Sequence, residues 1–226
     1  MKEIDLKDIA ILVDFDGTIT REDTNDKLVD YFWNKDIEKF LMENNERDMK
    51  YVDFMDELFS NIKITEEEYL DFILNEIEIT DGFLEFYKKI EEHNIPIAII
   101  SGGFDNGIVP FLKKHGIEGI QIYANHLNFN GEDITVDYFH NRDPKCCHIG
   151  FCGNCKITHV EEFREKYKKV LFIGDGITDE PIANRADIVF AKDGLLKYCK
   201  EHDLDCISWE DFFDVEKIIF KEEPAS

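Results

Sequence analysis

The sequence predicts an α/β fold: a doubly wound, mostly parallel sheet with a helical subdomain inserted after the first strand. Three features carry that prediction. The apolar run Ile9 to Val13 stops at two aspartates separated by one residue. Residues 22–79 then show no strand pattern and repeat their apolar residues at helical spacing. From Asp81 onward short apolar runs alternate with helical stretches, the order that yields parallel strands covered by helices on both faces. The expected division is a core of residues 1–21 and 80–226 and a helical insert of residues 22–79.

The first run has charge before it and Gly17-Thr18 after it, so it reads as a strand buried on both faces. Asp14 and Asp16 lie at its carboxyl end, the edge where open α/β sheets place ligand crevices. Two nearby carboxylates repel, and holding both beside a ligand requires a cation or a shared proton. Singly, either acid serves equally well as the turn and capping residue that follows any strand.

Within the insert, Tyr51, Phe54, Met55, Leu58 and Phe59 follow helical spacing, and their stripe reads as the insert's own core. Thr65-Glu66-Glu67-Glu68 is a capping-box sequence that opens a helix carrying Tyr69, Phe72, Ile73 and Ile77. A helix with Phe83, Phe86, Tyr87 and Ile90 ends near His93-Asn94. The strand Ile95 to Ile100 follows, with Pro96 near its start where a missing amide is tolerated, and it runs into Ser101-Gly102-Gly103. Next come a helix from Gly107 to His115, a strand from Gln121 to Ala124, and a hairpin over Leu127 to Tyr138 that turns at Asn130-Gly131. A helix from Lys156 to Tyr167 leads into the strand Val170 to Ile173, which ends at Gly174-Asp175-Gly176-Ile177-Thr178-Asp179. Ile188 to Phe190 is a last short strand, and helices from Gly194 to Glu201 and Trp209 to Ile219 complete the chain.

Composition narrows the function. The 226 residues carry 50 Asp and Glu against 26 Lys and Arg, a formal net charge of −24, which argues against nucleic acid or an anionic membrane as partner. An anionic substrate must then meet a local positive centre, either basic side chains or a bound metal. No segment approaches the roughly 18 apolar residues of a membrane span, and Met-Lys-Glu-Ile-Asp-Leu-Lys is no signal sequence. The expectation is a soluble, cytoplasmic protein. Four of six cysteines fall in one run, Cys146, Cys147, Cys152 and Cys155, a clustering unlike that of a disulfide-stapled secreted domain. With His140 and His148 nearby they offer enough soft ligands for a structural Zn²⁺; the alternative is a set of reduced thiols packing the loop before Lys156. Cys199 and Cys206 read as structural thiols.

Three strands thus end in polar residues of distinct chemistry: Asp14 and Asp16, then Ser101 and Gly102, then Asp175 and Asp179. Lys156 begins a helix directed at the same edge and is the natural balancing charge. In order and spacing this set resembles the four-motif signature of the haloacid dehalogenase superfamily of phosphohydrolases, matched across residues 13–179. The resemblance implies a residue-level scheme. Asp14 is the nucleophile that forms an aspartyl-phosphate, and Asp16 is the general acid and base. Mg²⁺ is held by the Asp14 carboxylate, the Asp16 carbonyl and Asp175. Thr18 and Asp179 act in support, Asp179 by orienting Lys156 or the metal's water. Ser101, the Gly102 amide and Lys156 hold the phosphoryl oxygens.

An insert between the first two motifs corresponds to the cap of the phosphoserine-phosphatase-like branch, and Arg21, Glu22 and Asp23, at its start, are then candidates to read the leaving group. They serve equally well as hinge surface charges. Asp14 to Thr20, Ile99 to Gly103 and the cysteine run before Lys156 are also similar to the 2-hydroxy-3-keto-5-methylthiopentenyl-1-phosphate phosphatases of methionine salvage. Phosphoethanolamine/phosphocholine phosphatases share an acidic approach to the cap and a cysteine ahead of the lysine, and Gly174-Asp175-Gly176 matches phosphoserine phosphatases. The implied partner is a small phosphorylated metabolite, met by a monomer or homodimer. Two other classes compete: a metal- or partner-binding regulatory module on the same scaffold, and phosphoryl transfer to an acceptor other than water.

Overall fold

The structure, a computed structural model, describes residues 6–33, 37–46, 51–140 and 153–220. Its sheet begins with β1 (Ile9–Val13), every residue of which is buried. The chain then makes one wide turn over Phe15–Ile19, closed by Thr20 N–H donating to the Phe15 carbonyl at 3.0 Å. Gly17 sits in that turn at φ +69°, where a Cβ would also fall 2.5 Å from an Asp175 oxygen. The turn thus needs glycine for conformation and for space.

Among the described residues four helices follow: α1 (Thr24–Phe32), α2 (Ile37–Glu46), α3 (Tyr51–Asn61) and α4 (Glu66–Asn75). Asp23 caps α1 by accepting from the amides of Asn25 and Asp26. The capping box at Thr65 and Glu68 is formed as the sequence predicts. The chain leaves and returns side by side: Thr20 and Ile79 form an antiparallel bridge, and Thr80 Oγ1 donates to the Thr18 carbonyl at 2.8 Å.

The remainder comprises α5 (Phe83–Glu92), β2 (Ile97–Phe104), α6 (Asp105–Lys114), β3 (Gln121–Asn130), β4 (Asp133–Asp137), α7 (Lys156–Arg164), β5 (Lys169–Gly174), β6 (Ile188–Ala191), α8 (Asp193–Glu201), β7 (Ile207–Ser208) and α9 (Phe212–Ile219). The strand order is β4-β3-β2-β1-β5-β6-β7, parallel throughout except for the β3–β4 hairpin. The chain winds outward from β1 in both directions, so the carboxyl end of β1 is the topological switch point where such sheets bind ligands. One apolar core is centred on Phe15, Phe59, Phe86 and Phe111, the other on Leu12, Ile100, Phe172 and Val189.

Several element boundaries depart from the sequence expectation. β2 does not end at Ser101 but continues to Phe104, with a register shift against β3 between Ile100 and Phe104. The expected strand at Gln121 and the first arm of the hairpin are one ten-residue strand. Strand β7 had no signal, because its two residues pair only after β6 is in place. Among the described residues no helix is long and apolar enough to cross a membrane.

Candidate active site

The site grows from the end of β1. Asp14 turns out of the strand with one carboxylate oxygen accepting from Phe15 N–H at 2.7 Å. Its other oxygen lies 2.6 Å from Lys156 Nζ. Lys156, the first residue of α7, also reaches Asp179 at 2.6 Å, and all three side chains are buried. Burial alone pushes the lysine down, but Asp14 and Asp179 more than offset this and hold it above its ordinary value. It is therefore charged, and it is the cation that the net charge made necessary.

Asp179 is fully engaged. Its second oxygen accepts from the amides of Asp175 and Gly176 at 3.0 and 3.2 Å, which fixes the turn after β5. Gly174 lies beneath it, and a Cβ there would stand 2.3 Å from that oxygen. Thr18 Oγ1 donates to Asp175 at 2.6 Å, so this hydroxyl orients a carboxylate.

Asp16 faces elsewhere. Its carboxylate accepts from Ser101 Oγ at 2.9 Å and from the Thr24 hydroxyl at the start of α1. Burial first, and the Asp23 charge second, raise its pKa to about 6. A Cβ on Gly103 would lie 2.4 Å from this carboxylate. Ser101 sits inside β2, and its hydroxyl also accepts from Gly103 N–H at 2.8 Å.

Asp14, Asp175 and Asp179 bring carboxylate oxygens within 4.8 Å of one another. Burial, then Asp179, raises Asp175 to about 7, and Asp14 is raised by burial and by Asp179 despite Lys156. One lysine is thus too little positive charge for these acids. A hard, all-oxygen set short of positive charge fits a small divalent cation such as Mg²⁺.

Above these residues opens a cavity of about 510 Å³, lined by Asp14, Asp16, Gly102 and Asp175 from the sheet edge. Its far wall has Asp23, Asp26 and Asp30 with Val29 from α1, and Tyr51, Phe54, Met55 and Leu58 from α3. Asp23 reaches this cavity, whereas Arg21 and Glu22 do not line it. Arg21 binds Asp81 at 2.6 Å and the Ile79 carbonyl at 3.3 Å, pinning the return of the chain. Glu22 pairs with Lys27 at 2.5 Å.

Cys146, Cys147, Cys152 and His148, the proposed zinc ligands apart from Cys155 and His140, lie outside the described residues. Cys155 has a free thiol and its amide donates to His140 Nδ1 at 3.0 Å. Thr24, Gly103 and Gly174 are site residues that sequence reasoning missed. Thr24 carried a weak local signal, as the residue after an N-capping aspartate; the role of Gly103 depends on the distant Asp16, and that of Gly174 on how closely the turn folds Asp179 back onto it.

A family model described as Putative Phosphatase matches residues 9–221. A 2-hydroxy-3-keto-5-methylthiopentenyl-1-phosphate phosphatase of Bacillus pumilus (strain SAFR-032) is 31% identical over 93% of this chain and 90% of its own. One from Bacillus mycoides (strain KBAB4) is 34% identical over 92% of this chain and 94% of its own. In fold, the chain is similar to a phospho-aspartyl intermediate analogue of phosphoserine phosphatase, with a TM-score of 0.69 at 22% identity, covering 96% of this chain and 100% of the other. The motifs, the doubly wound sheet and these likenesses agree, and the chain belongs to the family described as Putative Phosphatase and is a phosphatase.

Proposed function

We propose that the chain is a Mg²⁺-dependent phosphomonoester hydrolase that works through an aspartyl-phosphate on Asp14. The observation that carries this is the buried Asp14–Lys156–Asp179 array beneath a cavity that Asp14 and Asp16 both line. Lys156 directs the Asp14 carboxylate and opposes, without cancelling, the upward push of burial and Asp179 on its pKa. Asp14 Oδ attacks phosphorus, the bond from phosphorus to the leaving oxygen breaks, and Asp16 gives that oxygen its proton. Its pKa of about 6 leaves part of the population protonated near neutrality. Water then attacks phosphorus, Asp16 takes the water's proton, and the Asp14–phosphorus bond breaks to release phosphate. Ser101, the Gly102 amide and Lys156 hold the phosphoryl oxygens as charge redistributes. Mg²⁺, when bound by Asp14, Asp175 and the Asp16 carbonyl, neutralises phosphoryl charge; Asp179 supports by orienting Lys156. Residues 22–79 act as a cap that excludes water and selects the leaving group.

For the substrate we propose 2-hydroxy-3-keto-5-methylthiopentenyl-1-phosphate. The wall formed by Val29, Tyr51, Phe54, Met55 and Leu58 suits an apolar thioether tail, and among the described residues lining the cavity none is lysine or arginine. A second reading, phosphoethanolamine or phosphocholine, is favoured by Asp23, Asp26 and Asp30 on the same wall. Burial, then Asp23 and Asp30, raises Asp26 there, so a cationic leaving group would relieve repulsion. Purified protein with Mg²⁺ is to be assayed for phosphate release from these three esters and from phosphoserine. The thioether ester should give the highest kcat/KM, and Asp14→Asn should lower kcat by roughly 10⁴-fold on a folded chain. Unchanged turnover in that variant would reject the mechanism, and preference for an aminoalcohol ester would select the second substrate class.

A further inference from the structure

We propose that Asn125 and Asn154 are positioning residues that clamp the two peptide planes flanking Gly102, so that Gly102 N–H is held toward the cavity as a donor to the transferring phosphoryl group. The inference rests on the phosphatase reading above and adds the residues that set the donor's direction.

Gly102 lies where β2 is least regular: pairing with β3 runs through Ile100 and resumes only at Phe104. A Cβ at Gly102 would meet nothing within 4 Å. Neither close packing nor ladder pairing with β3 therefore holds the chain at Gly102, and glycine peptides rotate at little steric cost. Two buried amides supply what the strand lacks. Asn154 Nδ2 donates to the Ser101 carbonyl at 2.8 Å and to the Tyr123 carbonyl at 2.9 Å. The Ser101 carbonyl and the Gly102 N–H belong to one trans peptide and point in opposite directions. Pinning the oxygen therefore aims the N–H of Gly102, a residue that lines the cavity, away from Asn154. Asn125 Nδ2 donates to the Gly102 carbonyl at 2.8 Å, and the amide of the same peptide, Gly103 N–H, donates to Ser101 Oγ. Both planes are then held, the second from both sides.

Each asparagine is itself fixed the right way round. Asn125 Oδ1 accepts from Phe139 N–H at 3.0 Å. Asn154 Oδ1 faces His159 Nε2 at 2.7 Å, while His159 Nδ1 is buried with no hydrogen-bond partner among the described residues. A neutral imidazole protonated at Nε2 meets both conditions, and it directs the Asn154 NH₂ toward the carbonyls. Asn154 also lies two residues before Lys156, so one side chain sets the spacing between the Gly102 donor and the lysine. Neither asparagine lines the cavity, which is what distinguishes positioning from contact.

The test uses the full chain with Mg²⁺, p-nitrophenyl phosphate turnover, and orthovanadate affinity by calorimetry, in Asn154→Ala, Asn154→Asp, Asn125→Ala and Asn125→Asp. The expected result is a kcat lowered by roughly 10²-fold, the scale of losing one oxyanion donor. KM should stay within about threefold, because the donor acts on developing charge. Vanadate should bind more weakly by the same factor as kcat, with the Mg²⁺-induced rise in melting temperature unchanged. With Asp14→Asn inactive as control, asparagine variants whose kcat and vanadate affinity stay within twofold overturn the clamp alone. Variants that all lose cooperative melting, or that lose the Mg²⁺ response together with kcat, assign the asparagines to the fold and also overturn it. A wild-type chain that neither hydrolyses phosphomonoesters nor binds vanadate removes the phosphatase reading and the clamp together.

Discussion

Lys156 illustrates how a buried charge is made tolerable. Removed from water it would lose its proton, yet two carboxylates at 2.6 Å hold it charged. The histidine one helical turn later shows the opposite outcome. His159 is buried against Tyr123, Phe139 and His140, and burial, then His140 and Lys156, lowers its pKa to about 4. A histidine held below its unfolded value binds fewer protons folded than unfolded. Its contribution is therefore complete above about 6.5 and is lost as the pH falls toward about 4. The loss amounts to about 3 kcal/mol. Denaturant unfolding at pH 7.5, 5.5 and 4.5 should show wild type converging on His159→Gln as the pH falls. The carboxylates titrate in both chains and cancel in the difference; parallel profiles would exclude the effect.

At the scale of elements, the β3–β4 hairpin steadies the inserted helices. Tyr138, just past β4, donates through its hydroxyl to Asp56 on α3 at 2.7 Å, and Lys63 pairs with Asp133 at 2.6 Å. The Tyr138 ring also lies over Gly153, where a Cβ would fall 2.3 Å from it. Helix α3 supplies most of the apolar wall of the cavity, so loosening this tie should weaken ground-state binding more than chemistry. Tyr138→Phe removes the hydroxyl shared between Asp56 and the Val52 carbonyl, a contribution of about 1 kcal/mol. Steady-state kinetics should show KM raised several-fold with kcat within twofold; a fall in kcat at constant KM would contradict it.

At the scale of the whole molecule, the acidic site stores repulsion that a cation should release. Asp175 titrates near 7, above its unfolded value, so its protonated form stabilises the metal-free fold at low pH. That contribution disappears as the pH rises through about 7. Mg²⁺ competes with those protons. At a concentration of one hundred times Kd it should add about 2.7 kcal/mol, seen as a rise in melting temperature that is larger at pH 8 than at pH 5.5. EDTA should reverse it, and Asp175→Asn should lack it. An equal rise in that variant would place the cation elsewhere.

Periodicity and turn chemistry made the doubly wound sheet, the helical insert and the capping box at Thr65 legible, because each is written within a few neighbouring residues. The Asp14–Asp16 pair, Lys156, Asp175 and Asp179 were legible too, since each follows or begins an element whose end the apolar pattern marks. The continuation of β2 through Ser101, Gly102 and Gly103 was not. Two adjacent glycines read as a turn, and only pairing of Phe104 with Asn125 on β3 keeps them in the sheet. The roles of Thr24 and Gly103 likewise had no sequence signal that fixed them, for both depend on the Asp16 carboxylate carried by another element, and that of Gly174 depends on how the turn folds Asp179 back onto it. Sequence alone determined which chemical groups the site has, because residue type and local spacing suffice for that. The direction of each group was decided by tertiary structure, through hydrogen bonds and close approaches between residues such as Thr18 and Asp175 that are far apart in the chain.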